Sequence, residues 1–235
     1  MKSFFDRVVE PELLDVLPPE DKSAQRSRRD LRRLNWWMNH SRTLARLLRQ
    51  NLKPSETLRI AEIGAGDGHF LFSVARRLHH QWPSAEVTLV DRLNAFSPRI
   101  REDFSNLGWR GRTEIAEVNE WLQSLPPDST DVIVSNLFLH QFKTEELTEM
   151  LRMAARSTHL FIALEPSRSW IPRFCGNFLW TLGCSSVTRH DAGISIRAGF
   201  SDRELSDLWP DQTKWSLTER PLGLFSHLFV ARQKD

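Results

Sequence analysis

The chain contains 235 residues, 40% hydrophobic and 26% charged, which is enough for one sizeable hydrophobic core. Its formal net charge of +2 excludes a strong overall attraction to nucleic acid, so no nucleic-acid partner is expected. The two cysteines, Cys175 and Cys184, follow no metal-ligand spacing and are interpreted as free thiols. No apolar run approaches the roughly 18 residues of a membrane span, and the N-terminus lacks a signal-peptide pattern. A cytoplasmic protein without a membrane span is expected.

Residues 1–55 are predicted to form an N-terminal helical cap. Apolar residues recur at helical spacing in one stripe, which ends before Pro54 and consists of Leu31, Leu34, Met38, Ala45, Leu48 and Leu52. The run RSRRDLRRL would place four arginines on a shared helix face: Arg28, Arg29, Arg32 and Arg33. A solvated face that closes a cleft is favoured, and a nucleic-acid or anionic-membrane patch is the alternative. The cap is compatible with covering its own active site or with forming a homodimer through these helices.

Residues 56–235 show strands that alternate with helices. Strands are predicted at TLRIAEIG, EVTLVD, TEIAEV (the weakest), DVIVSNLFL and HLFIALEP, and helices at FLFSVARRLHH and KTEELTEMLRMAAR. Such apolar strands separated by helices predict an α/β, Rossmann-like fold with a mostly parallel sheet. TKWSLTERP and LFSHLFVARQ, joined by PLG, predict an antiparallel C-terminal hairpin. Between them and the fifth strand lies an insert, residues 166–205, that is rich in Trp, Phe, Arg and His and is interpreted as a substrate lid.

Three glycines, Gly64, Gly66 and Gly68, follow the first strand in AEIGAGDGHF, where glycine lets a ligand approach the backbone closely. A phosphate-binding P-loop is excluded because Gly-Lys-Ser/Thr is missing. A dinucleotide fingerprint would need a glycine where His69 stands, and Asp67 would repel a pyrophosphate at the helix start. S-adenosylmethionine carries no phosphate, and its positive charge suits an acidic residue such as Glu62.

EIGAGDG resembles the E/D-x-G-x-G-x-G signature of class I S-adenosylmethionine-dependent methyltransferases. The resemblance implies a seven-stranded sheet and S-adenosylmethionine as the cofactor. VTLVDR implies that the acidic side chain after the second strand binds the ribose hydroxyls, AEVNEW implies a contact with adenine, and DVIVSNLFLHQF resembles the family's fourth-strand motif. The cofactor-binding residues expected on this basis are Glu62, Gly64, Ala65, Gly66, Gly68, Asp91, Arg92, Glu117, Val118 and Asn136.

The methyl acceptor is expected to be a small aromatic, phenolic or polyketide-derived molecule. No N-P-P-Y/F motif for nucleobase amino groups is present, and the segments outside the sheet carry aromatic residues suited to an apolar pocket, namely Trp36, Trp37, Trp170, Phe174, Phe178 and Trp180. TRHDAGISIRAGFSDREL resembles bacterial small-molecule methyltransferases that act beside type III polyketide synthases. O-methylation is favoured, and C-methylation of a quinol-like ring is the alternative.

His140 or His190 is the hypothetical general base, because a neutral imidazole can receive the proton of a phenol. Trp37, Arg189, Asp191 and Arg197 are the hypothetical substrate-binding residues, although the last three would serve equally well as ion pairs or helix caps. No metal site is expected. An RNA or protein methyltransferase and a non-catalytic S-adenosylmethionine-binding protein remain rival interpretations.

Overall fold

A computed structural model of the chain describes residues 6–52, 57–169 and 183–234. Its centre is a seven-stranded sheet in the order β3-β2-β1-β4-β5-β7-β6. The first five strands are parallel, and β7 runs antiparallel between β5 and β6. The strands are β1 (Leu58–Ile63), β2 (Ala85–Asp91), β3 (Trp109–Ile115), β4 (Thr130–Asn136), β5 (Thr158–Pro166), β6 (Trp215–Leu222) and β7 (Ser226–Gln233). The predicted α/β fold with its antiparallel hairpin is confirmed.

Helices cover both faces of this sheet, because side chains along each strand alternate between the faces. In β4, Val132 and Val134 pack in the cluster that includes α3 and α4, whereas Ile133 packs against α6 and α7 on the opposite face. The helices are α1 (Leu13–Val16), α2 (Lys22–Trp37), α3 (His40–Asn51), α4 (His69–Leu78), α5 (Ile100–Ser105), α6 (Val118–Ser124), α7 (Thr144–Ser157), α8 (Ser186–Ala198) and α9 (Glu204–Leu208).

The N-terminal residues form two main helices where the sequence suggested one continuous stripe. Asn39 has a φ of 56°, in the left-handed region that asparagine tolerates better than most residues, and α3 begins directly after it. α3 then packs against α4, and α2 contacts α8. The turn at Asn39 therefore lets α3 join the core while α2 crosses the carboxyl ends of the strands.

The third strand begins earlier than its apolar pattern predicted. Trp109 pairs with Ala85, and Gly111 pairs with Val87, so β3 ends at Ile115 instead of extending into Glu117. Glu117 is already the residue that precedes α6. No helix among the described residues is long and apolar enough to cross a membrane.

Candidate active site

The glycine loop after β1 lies where the strand order reverses, between β1 and β4, and this is the usual ligand position in an open α/β sheet. Gly64, Gly66 and Gly68 all have positive φ values, of 66°, 55° and 80°. A Cβ atom at Gly64 would collide with the Phe138 ring, whereas one at Gly66 would meet nothing within 4 Å. The backbone at Gly66 therefore borders open space that a ligand can enter.

Gly68 serves the packing of α4 and is not among the cavity-lining residues. A Cβ atom there would come within 2.7 Å of Leu89 and 2.9 Å of Ile100. The preceding residue, Asp67, accepts a hydrogen bond from the His69 N–H at 3.0 Å at the start of α4. The third glycine of the motif thus lets the helix approach the sheet closely.

Asp91 at the end of β2 holds the glycine loop in place. Its Oδ2 accepts a hydrogen bond from the Gly66 N–H at 2.8 Å, and its Oδ1 accepts one from the Leu93 N–H at 2.9 Å. Burial raises the pKa of Asp91, although these two hydrogen bonds oppose the rise. Each carboxylate oxygen has two acceptor positions, so one on each oxygen is free for a ligand such as a ribose diol.

Glu62 is a buried carboxyl group with one oxygen that lacks a partner. Its Oε2 has no hydrogen-bond partner among the described residues, and the residue lines the cavity beside the glycine loop. Burial raises the pKa of Glu62 well above its usual value, and the charges of Asp67 and Asp91 raise it further. A buried unpaired carboxyl group is costly, and a cationic ligand group such as an amino group would relieve that cost.

Asn136 at the end of β4 is tied to the N-terminal helices. Its Oδ1 lies 2.7 Å from Nδ1 of His40, and its amide donates to Asn35 at 3.0 Å. His40 also contacts Ser226 at 2.7 Å, and burial lowers the pKa of His40 to about 4, so the ring is neutral. This network fixes α2 and α3 over the carboxyl end of β4.

These elements enclose one large cavity with a volume of about 1230 Å³. It is lined by the glycine loop and by the residues expected at the ribose and adenine, namely Asp91, Arg92, Glu117 and Val118. It is also lined by aromatic residues from the N-terminal helices, the β4 turn and the C-terminal hairpin, namely Trp36, Trp37, Phe138, Phe142 and Phe225, and the Phe138 ring adjoins Gly64. The cavity therefore brings most of the expected cofactor residues together with Trp37 and His140.

The N-terminal segment covers this cavity from both sides. Arg7 donates to the carbonyl oxygens of Ala198, His140 and Phe142 at 2.8, 3.0 and 2.8 Å. Asp15 lies 3.8 Å from Arg92, and both residues line the cavity. Arg32 in α2 binds Asp67 of the glycine loop at 2.7 Å. The segment before β1 thus spans its own chain's cavity.

His140 lies between two buried carboxylates. Its Nδ1 is 2.9 Å from Glu165, and its Nε2 is 3.1 Å from Glu12. Burial alone would lower the pKa of His140, but the two carboxylates outweigh it and raise the pKa to about 9. The ring is therefore protonated at neutral pH with both nitrogens engaged, which is unsuited to the general base hypothesised from the sequence.

Glu165 at the end of β5 organises the turn that carries His140. It accepts hydrogen bonds from the backbone N–H groups of Phe138 and Leu139 at 3.2 and 3.0 Å, and from the Ser135 hydroxyl at 3.2 Å. Glu12 accepts from His140, Gln141 and Ser195. His140 with its two carboxylates therefore fastens the N-terminal segment to the ends of β4 and β5.

Three charged residues of the lid insert, Asp191, Arg197 and Arg189, are not among the cavity-lining residues, and the first two hold the N-terminal segment. Asp191 accepts from the N–H groups of Leu13 and Leu14 at 2.9 and 3.0 Å, so it caps α1. Arg197 pairs with Glu10 at 2.5 Å, while Arg189 is exposed.

His190 has a side chain that is 55% exposed and touches Asp191 at 3.2 Å. The positions of Arg189, His190, Asp191 and Arg197 favour a structural role for these residues over a role in substrate binding. The aromatic residues expected in the lid lie outside the described residues: Trp170, Phe174, Phe178 and Trp180.

Three contributors to this site had no sequence signal for their roles: Glu12, His40 and Glu165. Glu12 lies 128 residues from His140 in the chain, and His40 lies 96 residues from Asn136, so only the fold brings them together. The run IALEP pointed to the end of the fifth strand, but not to the role of its carboxylate. Within residues 6–52, 57–169 and 183–234, no three His, Cys, Asp or Glu side chains form a metal-ligand cluster.

Comparison with known proteins finds a methyltransferase domain within the chain. The model of a methyltransferase domain matches residues 60–159. No curated protein matches the chain. A S-adenosylmethionine-dependent methyltransferase from Aquifex aeolicus is 15% identical, with a TM-score of 0.54 over 80% of this chain and 88% of that one.

Two further solved structures share the fold. An O-methyltransferase family protein from Burkholderia thailandensis is 16% identical, with a TM-score of 0.56 over 92% of this chain and 62% of that one. A magnesium protoporphyrin IX methyltransferase from Synechocystis, solved with S-adenosylmethionine bound, is 12% identical, with a TM-score of 0.53 over 94% and 88%. Residues 60–159 therefore match a methyltransferase domain, and the described residues share the fold of these solved methyltransferases.

Proposed function

We propose that this methyltransferase transfers the methyl group to a small aromatic, phenolic or polyketide-derived acceptor, and that the product is an O-methyl derivative. The observation that carries the proposal is the cavity that the glycine loop and several aromatic side chains line together. Small-molecule sites are typically concave and mostly apolar, with a few polar groups that fix orientation. Likeness to the O-methyltransferase family protein of Burkholderia thailandensis is consistent with this proposal but extends only to the fold.

The part of the cavity around the glycine loop fits S-adenosylmethionine. Glu62 offers its orphaned carboxyl oxygen to a cationic amino group, Gly66 leaves space beside its backbone, and Asp91 retains free acceptor positions for the ribose. Glu117 and Val118 would border the adenine, and Asn136 would border the donor from the β4 side. Gly64, Ala65 and Arg92 complete the lining, whereas Gly68 acts by packing α4.

S-adenosylmethionine, when bound, supplies a methyl group whose bond to sulfur breaks as the bond to the acceptor oxygen forms. The protein must align the acceptor, which can contribute roughly 7–11 kcal/mol toward lowering a barrier. The aromatic residues Trp37, Phe138 and Phe142 are placed to hold a planar ring. The acceptor also loses a proton, and the chain must provide a group that receives it.

Asp15 is the group that we assign to this proton. It lines the cavity, and both burial and the neighbouring charge of Glu12 raise its pKa to about 6. It is therefore largely ionised at neutral pH, yet its pKa is closer to that of a phenol than an ordinary aspartate's is. His140 is protonated between its carboxylates and serves instead to position the N-terminal segment that carries Asp15.

The proposal is tested with a panel of phenols and hydroxylated polyketide-like aromatics, using mass spectrometry and NMR to locate the added methyl group. O-methylated product from at least one acceptor is expected. Asp15→Asn should lower kcat and remove the acid limb near pH 6, while Glu149→Gln should not, because Glu149 pairs with Arg152 on α7 and does not line the cavity.

C-methylation of a quinol-like ring uses the same cavity and also releases a proton, so it is the alternative product. Methylation at ring carbon alone would replace the oxygen assignment. Cofactor binding without turnover of any acceptor would favour a non-catalytic S-adenosylmethionine-binding protein.

A further inference from the structure

The outward face of α2 carries a continuous row of cations that ends in two tryptophans. Its members recur at helical spacings of three and four residues and are all exposed: Lys22, Arg26, Arg29, Arg33, Trp36 and Trp37. We refer to these six residues as the basic–tryptophan row. At about 1.5 Å of rise per residue, the row extends over roughly 20 Å of helix.

The row points away from the protein, because the buried residues of α2 are on the other side. Ala24, Ser27 and Asp30 are buried beneath the helix. Arg28 lines the cavity and Arg32 binds Asp67, so these two arginines face the site. The arginine run, expected from the sequence to form one face, is thus divided between the cavity and the outward row.

The cations of the row are largely unneutralised. Among the described residues, no carboxylate lies within ion-pair distance of Lys22, Arg26 or Arg29. Arg33 lies 3.5 Å from Asp30, but its own side chain is 71% exposed. The row therefore presents a concentrated positive charge on a molecule whose net charge is only +2.

The tryptophan end of the row coincides with the mouth of the cavity. Trp36 is 75% exposed and Trp37 is 48% exposed, and both also line the cavity. Val16 of α1, another cavity-lining residue, is 69% exposed. Large apolar side chains grouped in this way on a surface indicate an interaction site.

We propose that α2 lies on an anionic lipid surface. The cations contact lipid headgroups, and Trp36 and Trp37 insert at the interface, where tryptophan is favoured because its ring is apolar and its N–H is polar. The mouth of the cavity then opens toward the membrane. An apolar aromatic acceptor, which partitions into the bilayer, would enter from there, and this second part rests on the proposed function.

The combination of charge and tryptophan favours lipid over other anionic partners. Nucleic acid or an acidic protein would explain the four cations, but neither explains apolar residues at the cavity mouth. Helices that lie in the membrane interface typically combine Lys and Arg with Trp and Leu in this manner.

The test is co-sedimentation with vesicles of phosphatidylcholine alone or with phosphatidylglycerol added. We expect binding to the anionic vesicles that weakens as salt is raised. The variant Lys22→Glu/Arg26→Glu/Arg29→Glu/Arg33→Glu should bind at least about tenfold more weakly, since each cation near an anionic surface contributes separately.

Matched controls reverse charge or remove apolar area elsewhere. Arg99→Glu/Arg101→Glu/Arg110→Glu changes exposed arginines outside α2 and should retain vesicle binding. Trp36→Ser/Trp37→Ser should weaken vesicle binding. Its control, Ile115→Ser/Leu224→Ser, removes exposed apolar side chains elsewhere and should retain binding.

Three results would overturn the lipid assignment. These are no binding to anionic vesicles at low salt, equal losses in the α2 variant and its control, or binding only to RNA or to polyglutamate. S-adenosylmethionine binding without vesicles, measured on the α2 charge variant, separates this outcome from a failure of the proposed function, because none of its four cations lies in the cofactor site.

Discussion

The buried His140 and its two carboxylates give a pH-dependent stability that can be measured directly. The perturbation is His140→Gln, which keeps a side chain of similar length but cannot carry a positive charge. Glu12 and Glu165 would then face a neutral amide inside the protein. Removing one partner from a buried charged group is strongly destabilising, because the remaining charge is left uncompensated.

The magnitude follows from the pKa of His140, which rises from 6.5 to about 9 on folding. A shift of this size corresponds to about 3 kcal/mol of stability. Because the folded pKa lies above the unfolded one, this stabilisation is fully present below about pH 6.5. It is lost as the pH rises through the folded pKa near 9. The pKa of Glu12 is lowered, so its own contribution is lost only under acidic conditions.

The assay is urea unfolding of the wild type and of His140→Gln at several pH values from 6 to 10. The chain contains no tyrosine, so no phenol titrates at the alkaline end. The wild type should lose about 3 kcal/mol across this range relative to the variant. His159→Gln, which changes a half-exposed histidine, is the control and should follow the wild type. A wild-type curve parallel to that of His140→Gln would refute the protonated-histidine interpretation.

Three further variants test the site and its limits. Gly66→Val should fold yet lose S-adenosylmethionine binding, because the valine Cβ would occupy the ligand's space. The control, Gly223→Val, also lies at a positive φ with open surroundings and should retain the binding. Titration calorimetry distinguishes the two variants. Glu62→Gln should raise the melting temperature of the ligand-free protein and weaken cofactor binding, and a gain in affinity would contradict the role given to its carboxylate. Arg59→Met breaks the partly exposed pair with Asp131 at the amino-terminal ends of β1 and β4. It should lower the free energy of unfolding in urea by less than about 1 kcal/mol and leave cofactor affinity unchanged. A loss of affinity would show that this end of the strands also contributes to the site.

The parts of the fold that the sequence predicted are those specified by local patterns. The apolar strands and the glycine motif lie within short segments, and their periodicity survives folding. The boundaries of the third strand were predicted wrongly. Ile115 is apolar but 59% exposed, so the alternation of apolar residues did not mark the end of the strand. The break at Asn39 was missed because apolar spacing continues across a residue whose backbone conformation changes.

The candidate site was predictable only where a motif marks it. Asp91 was proposed for the ribose because it ends the second strand, whereas Glu117 was proposed for the adenine by resemblance to the methyltransferase family. His140 was correctly placed at the cavity, but its protonation depends on Glu12, which joins it only through the tertiary fold. Arg197 was assigned to the substrate, although it pairs with Glu10 from the N-terminal segment. Ion pairs between distant segments leave no pattern in the sequence.

We expect the glycine loop and Asp91 to hold S-adenosylmethionine. The most direct measurement is calorimetric titration of S-adenosylmethionine and its demethylated product into the wild type, Asp91→Asn and Asp131→Asn. Asp131 is the matched control, an aspartate at the amino-terminal end of β4 that pairs with Arg59.

We expect saturable binding to the wild type and to Asp131→Asn. Affinity should be at least about tenfold weaker in Asp91→Asn, since a hydrogen bond to a charged group contributes roughly 1.5–3 kcal/mol. Equal affinities for the two variants, or no binding to the wild type, would contradict this expectation.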